Sequence, residues 1–266
     1  MADPADHPPR FPERFNMADY FLDARIREGK GERPAIRVAE RTWTYREVQE
    51  MADRCGHALR DRGIDLEDRV LLLLDDGVEF AASFFGLLKA GGVFCLGNPL
   101  VHQPDIEYLL LYTGARAVIA DVETLDRLLP ALAGNSRCRV RLVVGAGDRD
   151  LPEGFERFEQ VLASSSSETD NADTHRDDVA GWLFTSGTTG KPKGAVHFHH
   201  HFPFNTECYP KRVLCLREDD VFVSVSRLFF GYATGTNLMF PFAVGGCAVL
   251  FPDRPTKERI FEHVER

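Results

Sequence analysis

Apolar positions along the chain switch repeatedly between a helical period and short continuous runs. From Asn16, which can cap a helix, Met17, Tyr20, Phe21 and Ala24 recur at helical spacing until residues 29–34 break the pattern. Residues 34–39 and 41–43 read as a short hairpin. Thr44 and Glu47 stand at capping-box spacing, and Val48, Met51, Cys55, Ala58 and Leu59 share one face of the helix they start, which Gly63 stops. A strand follows at 69–74, a helix at 78–90 closed by Gly91 and Gly92, and a strand at 93–96 before Asn98 and Pro99 turn the chain. The same spacing predicts helices near 106–112 and 124–132 and strands at 117–120 and 139–144.

Short buried strands separated by amphipathic helices predict an α/β fold, with parallel sheets covered by helices on both faces. Residues 1–15, rich in Pro and charge, are expected to form a flexible tail, and 16–163 a first α/β subdomain. Residues 164–178, with four consecutive Ser and an acidic run, read as a solvent-exposed loop or a linker. A second strand-helix series then fills 179–266, with strands near 179–184, 195–198, 221–224 and 248–251 and a helix from about 256. No short-period repeat is present.

Composition narrows the function. The chain has 266 residues, 44% of them apolar, including 20 Phe, enough for a substantial core. Lys and Arg number 32 against 41 Asp and Glu, and the net charge of -9 supplies no broad cationic field for nucleic acid or anionic lipid. No run is long enough to span a bilayer and the first residues lack a secretory apolar stretch, so the expected setting is the cytoplasm, without membrane partners. The cysteines are scattered without a C-x-x-C pair and read as reduced core thiols. His197, His199, His200 and His201 cluster, but no Cys or carboxylate stands at matching ligand spacing, and no metal ligands are assigned.

The densest chemistry follows the strand at 179–184. Thr185-Ser186-Gly187-Thr188-Thr189-Gly190-Lys191-Pro192-Lys193-Gly194 packs three Gly, four hydroxyls and two Lys into ten residues. Glycines let backbone N–H groups turn toward one anion, hydroxyls add donors and ammonium groups offset charge, a combination suited to a polyphosphate. A polar turn between strands explains the Gly and Thr but not the two Lys. It is not a Walker A loop: two residues separate Gly187 from Gly190, and Lys191 precedes Pro192 rather than Ser or Thr. Pro192 restrains Lys191 and lacks an N–H, so the loop is expected to run into an extended segment rather than a helix.

With this loop the sequence resembles the adenylate-forming enzymes, the superfamily of acyl-CoA synthetases, luciferases and nonribosomal adenylation modules. Residues 42–47 (TWTYRE) and 87–92 (LLKAGG) look like two weaker family motifs in the expected order. Arg227-Leu228-Phe229-Phe230-Gly231-Tyr232, then Phe240-Pro241 and Val244-Gly245-Gly246, are similar to the benzoate–CoA ligase branch, as are Val196-His197, Glu207 and Tyr209. The resemblance implies the amino-terminal part of the adenylate-forming fold, and an ATP-dependent acid–thiol ligase making an acyl-CoA through an acyl-adenylate. ATP, Mg²⁺ and CoA are the implied cofactors and co-substrates, and a small aromatic carboxylic acid the implied partner.

Thr185, Ser186, Gly187, Thr188, Thr189, Gly190, Lys191 and Lys193 are then the ATP-phosphate candidates. For the acid pocket the candidates are Phe230, Gly231, Tyr232 and Gly235, although composition alone suits ordinary core packing for the two Phe at 229–230, and His199, because the family places a His or aromatic residue there. The Tyr-Gly-x-Thr-Glu segment, the ribose-gripping Asp motif and the carboxyl-terminal domain with its catalytic Lys do not occur, so no catalytic residue is assigned. The resemblance thus implies a truncated, inactive chain prone to self-association. Two alternatives stay open: another carboxylic acid within the superfamily, although no Asp lies in 228–235 to meet an amino group, or a non-catalytic nucleotide-binding or interaction module.

Overall fold

The computed structural model describes residues 7–185 and 190–265. Asn16 begins the first helix as its spacing predicts: its Oδ1 accepts from the Ala18 N–H (2.9 Å). A π-helical turn, Asp19–Asp23, runs into α1 (Ala24–Arg27). The hairpin β1 (Pro34–Val38) and β2 (Arg41–Thr44) delivers Thr44 to the start of α2 (Tyr45–Asp61), where the Thr44 and Glu47 side chains close a capping box. Then β3 (Arg69–Leu73), α3 (Val78–Ala90), β4 (Val93–Leu96), α4 (Gln103–Thr113), β5 (Ala117–Asp121), α5 (Leu125–Ala131), β6 (Val140–Val144), β7 (Glu156–Arg157) and α6 (Phe158–Ser164) alternate. β8 (Val179–Thr185), β9 (Lys193–Phe198), α7 (His201–Cys208), β10 (Val221–Val223), α8 (Gly231–Thr234), α9 (Phe240–Val244), β11 (Cys247–Leu250) and α10 (Lys257–Glu265) complete the order.

Two sheets result. Seven strands lie in the order β7-β6-β5-β3-β4-β8-β9, all parallel except β9, and four in the order β10-β11-β1-β2, parallel except for the β1–β2 hairpin. Side-chain alternation explains why β3 is apolar throughout. Val70 and Leu72 face a core shared with α2, α3 and the smaller sheet, while Leu71 and Leu73 face α4 and α5 on the other side. Helices α2 and α3 cross closely, since a Cβ on Gly86 would lie 2.6 Å from the Ala52 carbonyl oxygen.

Residues 164–178 do not separate two subdomains. β8 pairs with β4, and β11 pairs with β1, so each sheet draws strands from both sides of that segment. The segment is also more than an exposed loop. The Ala172 N–H donates to the Lys89 carbonyl (2.8 Å), and Thr174 is buried and accepts at its carbonyl from Phe15 N–H (2.8 Å). Its polar groups are used to fasten neighbouring backbone, which composition does not distinguish from solvation. The same bonds correct the reading of a tail extending to residue 15: Phe15 is docked here, and the Arg176 N–H donates to the Glu13 carbonyl (2.8 Å). Among the described residues no helix is long and apolar enough to cross a membrane.

Candidate active site

Parallel sheets bind ligands outside the carboxyl ends of their strands, and the Gly-rich segment leaves β8 at that end. β8 and β9 form an antiparallel pair with Thr185 opposite Lys193 and Phe184 opposite Gly194, so the loop returns into a strand as Pro192 requires. Ser186, Gly187, Thr188 and Thr189 lie outside the described residues. Gly190 has φ +88°, a left-handed conformation that disfavours a side chain.

The returning strand is held by α4. Tyr108 Oη donates to the Pro192 carbonyl (2.9 Å), and the Gly194 N–H donates to Tyr112 Oη (3.4 Å). Lys191 leans toward the same helix, with Nζ 3.8 Å from Asp105 Oδ1 and 5.0 Å from the Tyr108 ring centroid. Lys193 is exposed, and among the described residues its ammonium has no ion-pair partner.

Beside the hairpin lies a cleft of about 1230 Å³. Leu183 of β8, His197 of β9, Phe202 of α7, Ser226, Tyr232 and Gly235 are among the residues that line it. Gly231 lines it as well, and a Cβ there would sit 2.8 Å from Leu183 Cδ1, so α8 approaches β8 closely. Of the acid-pocket candidates, Gly231, Tyr232 and Gly235 therefore meet at one cavity. Phe230 is not among the lining residues; its ring lies 4.4 Å from that of Phe229, centroid to centroid.

His199 is a correction. A strand continued past residue 198 would put His197 and His199 on one face, but β9 ends at Phe198 and the chain turns there. His199 is fully buried away from the cleft, and its Nδ1 accepts from the Met17 N–H (3.0 Å). Burial lowers its pKa from 6.5 to about 4, with Asp178 opposing, so the ring is neutral. His197 occupies the cleft position instead, half-buried, its ring 5.2 Å from that of Phe202, and burial, then His201, lowers its pKa. His200 is turned to Asp177 (Nδ1 to Oδ1, 3.2 Å) and the Arg176 carbonyl oxygen (2.9 Å).

The segment 227–234 is fixed by Asp76, to which no motif points, and by its own polar side chains. Asp76, just beyond β3, accepts from the Leu228 N–H (2.8 Å). Burial pushes its carboxyl up to about 7, against that hydrogen bond and Arg227, which lower it. Thr234 Oγ1 donates to the Leu228 carbonyl (2.6 Å), and Arg227 donates to the Asp253 carbonyl (2.6 Å) and to that of Phe251. A carboxylate just past an apolar parallel strand was the available signal for Asp76. Glu207 is bound by Lys211 (2.6 Å) and by Tyr20 Oη, joining α7 to the first helix.

A mostly parallel sheet covered by helices, with the Gly-rich segment leaving β8 at its carboxyl edge and an apolar cleft against the same strand, defines an α/β protein. The chain belongs to the AMP-binding enzyme family, which it matches over residues 22–266. It is 37% identical to the benzoate–CoA ligase of Thauera aromatica over all of its own length and 50% of that protein. It is 34% identical to a 4-hydroxybenzoate–CoA/benzoate–CoA ligase of Rhodopseudomonas palustris, covering 93% of this chain and 45% of the relative. An anthranilate CoA ligase in complex with anthranoyl-AMP superposes with a TM-score of 0.87 at 31% identity, over 96% of this chain and 48% of the other. A benzoate CoA ligase from Burkholderia xenovorans gives 0.81 at 32% identity, over 94% and 48%. The chain thus spans about half the length of the curated relatives it matches.

Proposed function

We propose that the chain forms the ATP-phosphate and acid-binding part of an AMP-forming aromatic acid–CoA ligase, which converts a benzoate-like acid, ATP and CoA to acyl-CoA, AMP and pyrophosphate. The observation that carries this reading is a shared strand. Leu183 of β8 lines the cleft, and Thr185, two residues on, opens the Gly-rich loop. At about 3.3 Å per residue, that separation of about 7 Å suits an acid whose carboxylate must meet the α-phosphorus of a nucleotide held by the loop.

The carboxylate is ionised near neutral pH and needs no base to attack. What the reaction requires is charge compensation and alignment. Thr185 and the following hydroxyls, with Lys193 and Lys191, would hold the departing pyrophosphate. Gly231 and Gly235 leave room for a flat ring, and Tyr232, His197 and Phe202 give it aromatic neighbours. Among the described residues no three His, Cys, Asp or Glu side chains converge as a metal site. Mg²⁺ therefore has no protein cage among them.

The test is benzoate-dependent ATP–pyrophosphate exchange, measured on this chain joined to the remaining half of the Thauera aromatica ligase. Exchange driven by benzoate or a small ring-substituted benzoate in preference to octanoate is expected. A preference for octanoate would defeat the aromatic reading, and no exchange with any acid would defeat the ligase reading.

A further inference from the structure

The seven-stranded sheet carries a second concentration of charge, at the edge opposite the Gly-rich loop. Arg69 opens β3, Arg116 immediately precedes β5 and Arg139 immediately precedes β6. Their backbones form one hydrogen-bonded row, with Arg116 N–H donating to the Arg69 carbonyl and Arg139 N–H to the Arg116 carbonyl, both at 2.9 Å. Neighbouring strands lie about 4.8 Å apart, and residues in register project to one side, so three cationic chains start next to each other. Arg137, two residues before Arg139, joins them, and together with Asp68 they line a pocket of about 240 Å³.

Two of the four guanidinium groups are accounted for. Arg69 Nε donates to the Thr113 carbonyl (2.6 Å) at the end of α4, and its Nη1 to the Glu67 carbonyl (3.1 Å). Arg116 Nε lies 3.4 Å from Asp68 Oδ2, an oxygen that also accepts from the Asp65 N–H (3.0 Å). Arg137 is folded over Gly114, where a Cβ would come within 3.2 Å of its Nη1, yet among the described residues neither its guanidinium nor that of Arg139 has a partner. Like charges at paired sheet positions repel. A chain with more acidic than basic residues nevertheless places one carboxylate among these four cations.

We infer that this pocket is a second anion site, built for a small multivalent phosphate: inorganic phosphate or pyrophosphate. Guanidinium groups present paired N–H donors that match phosphate oxygens, and a bound dianion removes the repulsion along the row. Size bounds the ligand. At about 30 Å³ per water-sized group, the pocket holds about eight such groups, enough for phosphate and close to the size of pyrophosphate, while a whole nucleotide would protrude. The inference rests on the arginines alone and is independent of the ligase reading.

The test is calorimetric titration of the 266-residue chain with phosphate and with pyrophosphate. It is run in a K191Q/K193Q background, so that the loop lysines do not contribute, and repeated at raised salt. Saturable binding by either anion is expected, weakened by salt and at least ~10-fold by adding R137Q/R139Q. The anion that binds more tightly identifies the ligand. Arg137 and Arg139 are exposed, so thermal unfolding monitored by circular dichroism should show the same midpoint with and without R137Q/R139Q. Absence of saturable binding by both anions, or affinity unchanged by R137Q/R139Q in a folded protein, overturns the proposal.

Discussion

The Lys89 ammonium is buried against the Asp23 carboxylate, 2.6 Å from Oδ1 and 2.8 Å from Oδ2, joining α3 to the π-helical turn before α1. Asp53 of α2 completes the junction at 2.9 Å, and Gln49 and Asn171 donate to Asp23. Lys89 belongs to the LLKAGG motif, and its role here is to bind three helical segments and the 164–178 loop at one point.

Removing that cation leaves two carboxylates uncompensated in the interior. Lys89→Met should therefore cost about 3–5 kcal/mol at pH 7, read by urea denaturation. Burial already raises the Asp53 pKa against the pull of Lys89. Without the lysine the Asp53 carboxylate should take up a proton more readily, so the deficit should shrink at pH 5. A deficit below about 1 kcal/mol, or one that is independent of pH, would contradict this account.

His199 gives a pH dependence of definite sign. Its folded pKa, about 4, lies below the unfolded 6.5, so the unfolded state binds the extra proton first and stability is lost as pH falls from 6.5 to about 4. The full effect is on the order of 3 kcal/mol. His199→Asn can still accept from Met17 N–H and should lose less between pH 7 and 4 than the parent. Asp76 and Asp121, raised to about 7 by burial, titrate with the opposite sign, but equally in both proteins. Parallel pH profiles for parent and variant would exclude His199 as the source.

Asp76 anchors the segment that lines the cleft. Asp76→Ala leaves the Leu228 N–H without its acceptor and should lower stability by about 1–3 kcal/mol, with faster hydrogen exchange at that amide. Asp76→Asn keeps an acceptor and removes a buried charge. Since burial holds the folded pKa near 7, above the usual 3.8, ionisation is unfavourable as pH rises through that range, and the Asn variant should match or exceed the parent at pH 8. Unchanged Leu228 exchange in Asp76→Ala would show that the segment holds itself.

Within the proposed ligase, the two loop lysines should differ. Lys191 is drawn toward Asp105 and the Tyr108 ring, while Lys193 stands opposite Thr185 with its charge uncommitted among the described residues. Lys193→Met should reduce benzoate-dependent exchange about 100-fold, and Lys191→Met less. Equal effects in the two variants would mean that the contacts of Lys191 with α4 do not limit its action on phosphate.

Legible in the chain before folding were the local features. Helix starts and stops followed from side chains within one turn, as with Asn16 and the Thr44–Glu47 box, and the extended return after the loop followed from the geometry of Pro192. The apolar run 69–74 already carried the two faces of β3, because alternation is a property of the strand. Tertiary structure alone decided which strands share a sheet: β8 joins β4 and β11 joins β1 through backbone bonds that any apolar strand can make. It also decided that His197 rather than His199 meets the cleft, since a chain turn after Phe198 cancels the alternation that a longer strand would have kept. Asp76, Tyr108 and Tyr112 act on backbone more than 80 residues away, at Leu228, Pro192 and Gly194. Such partners are chosen by packing, and a hydrogen bond to a main-chain group leaves no mark on the identity of the residue that receives it.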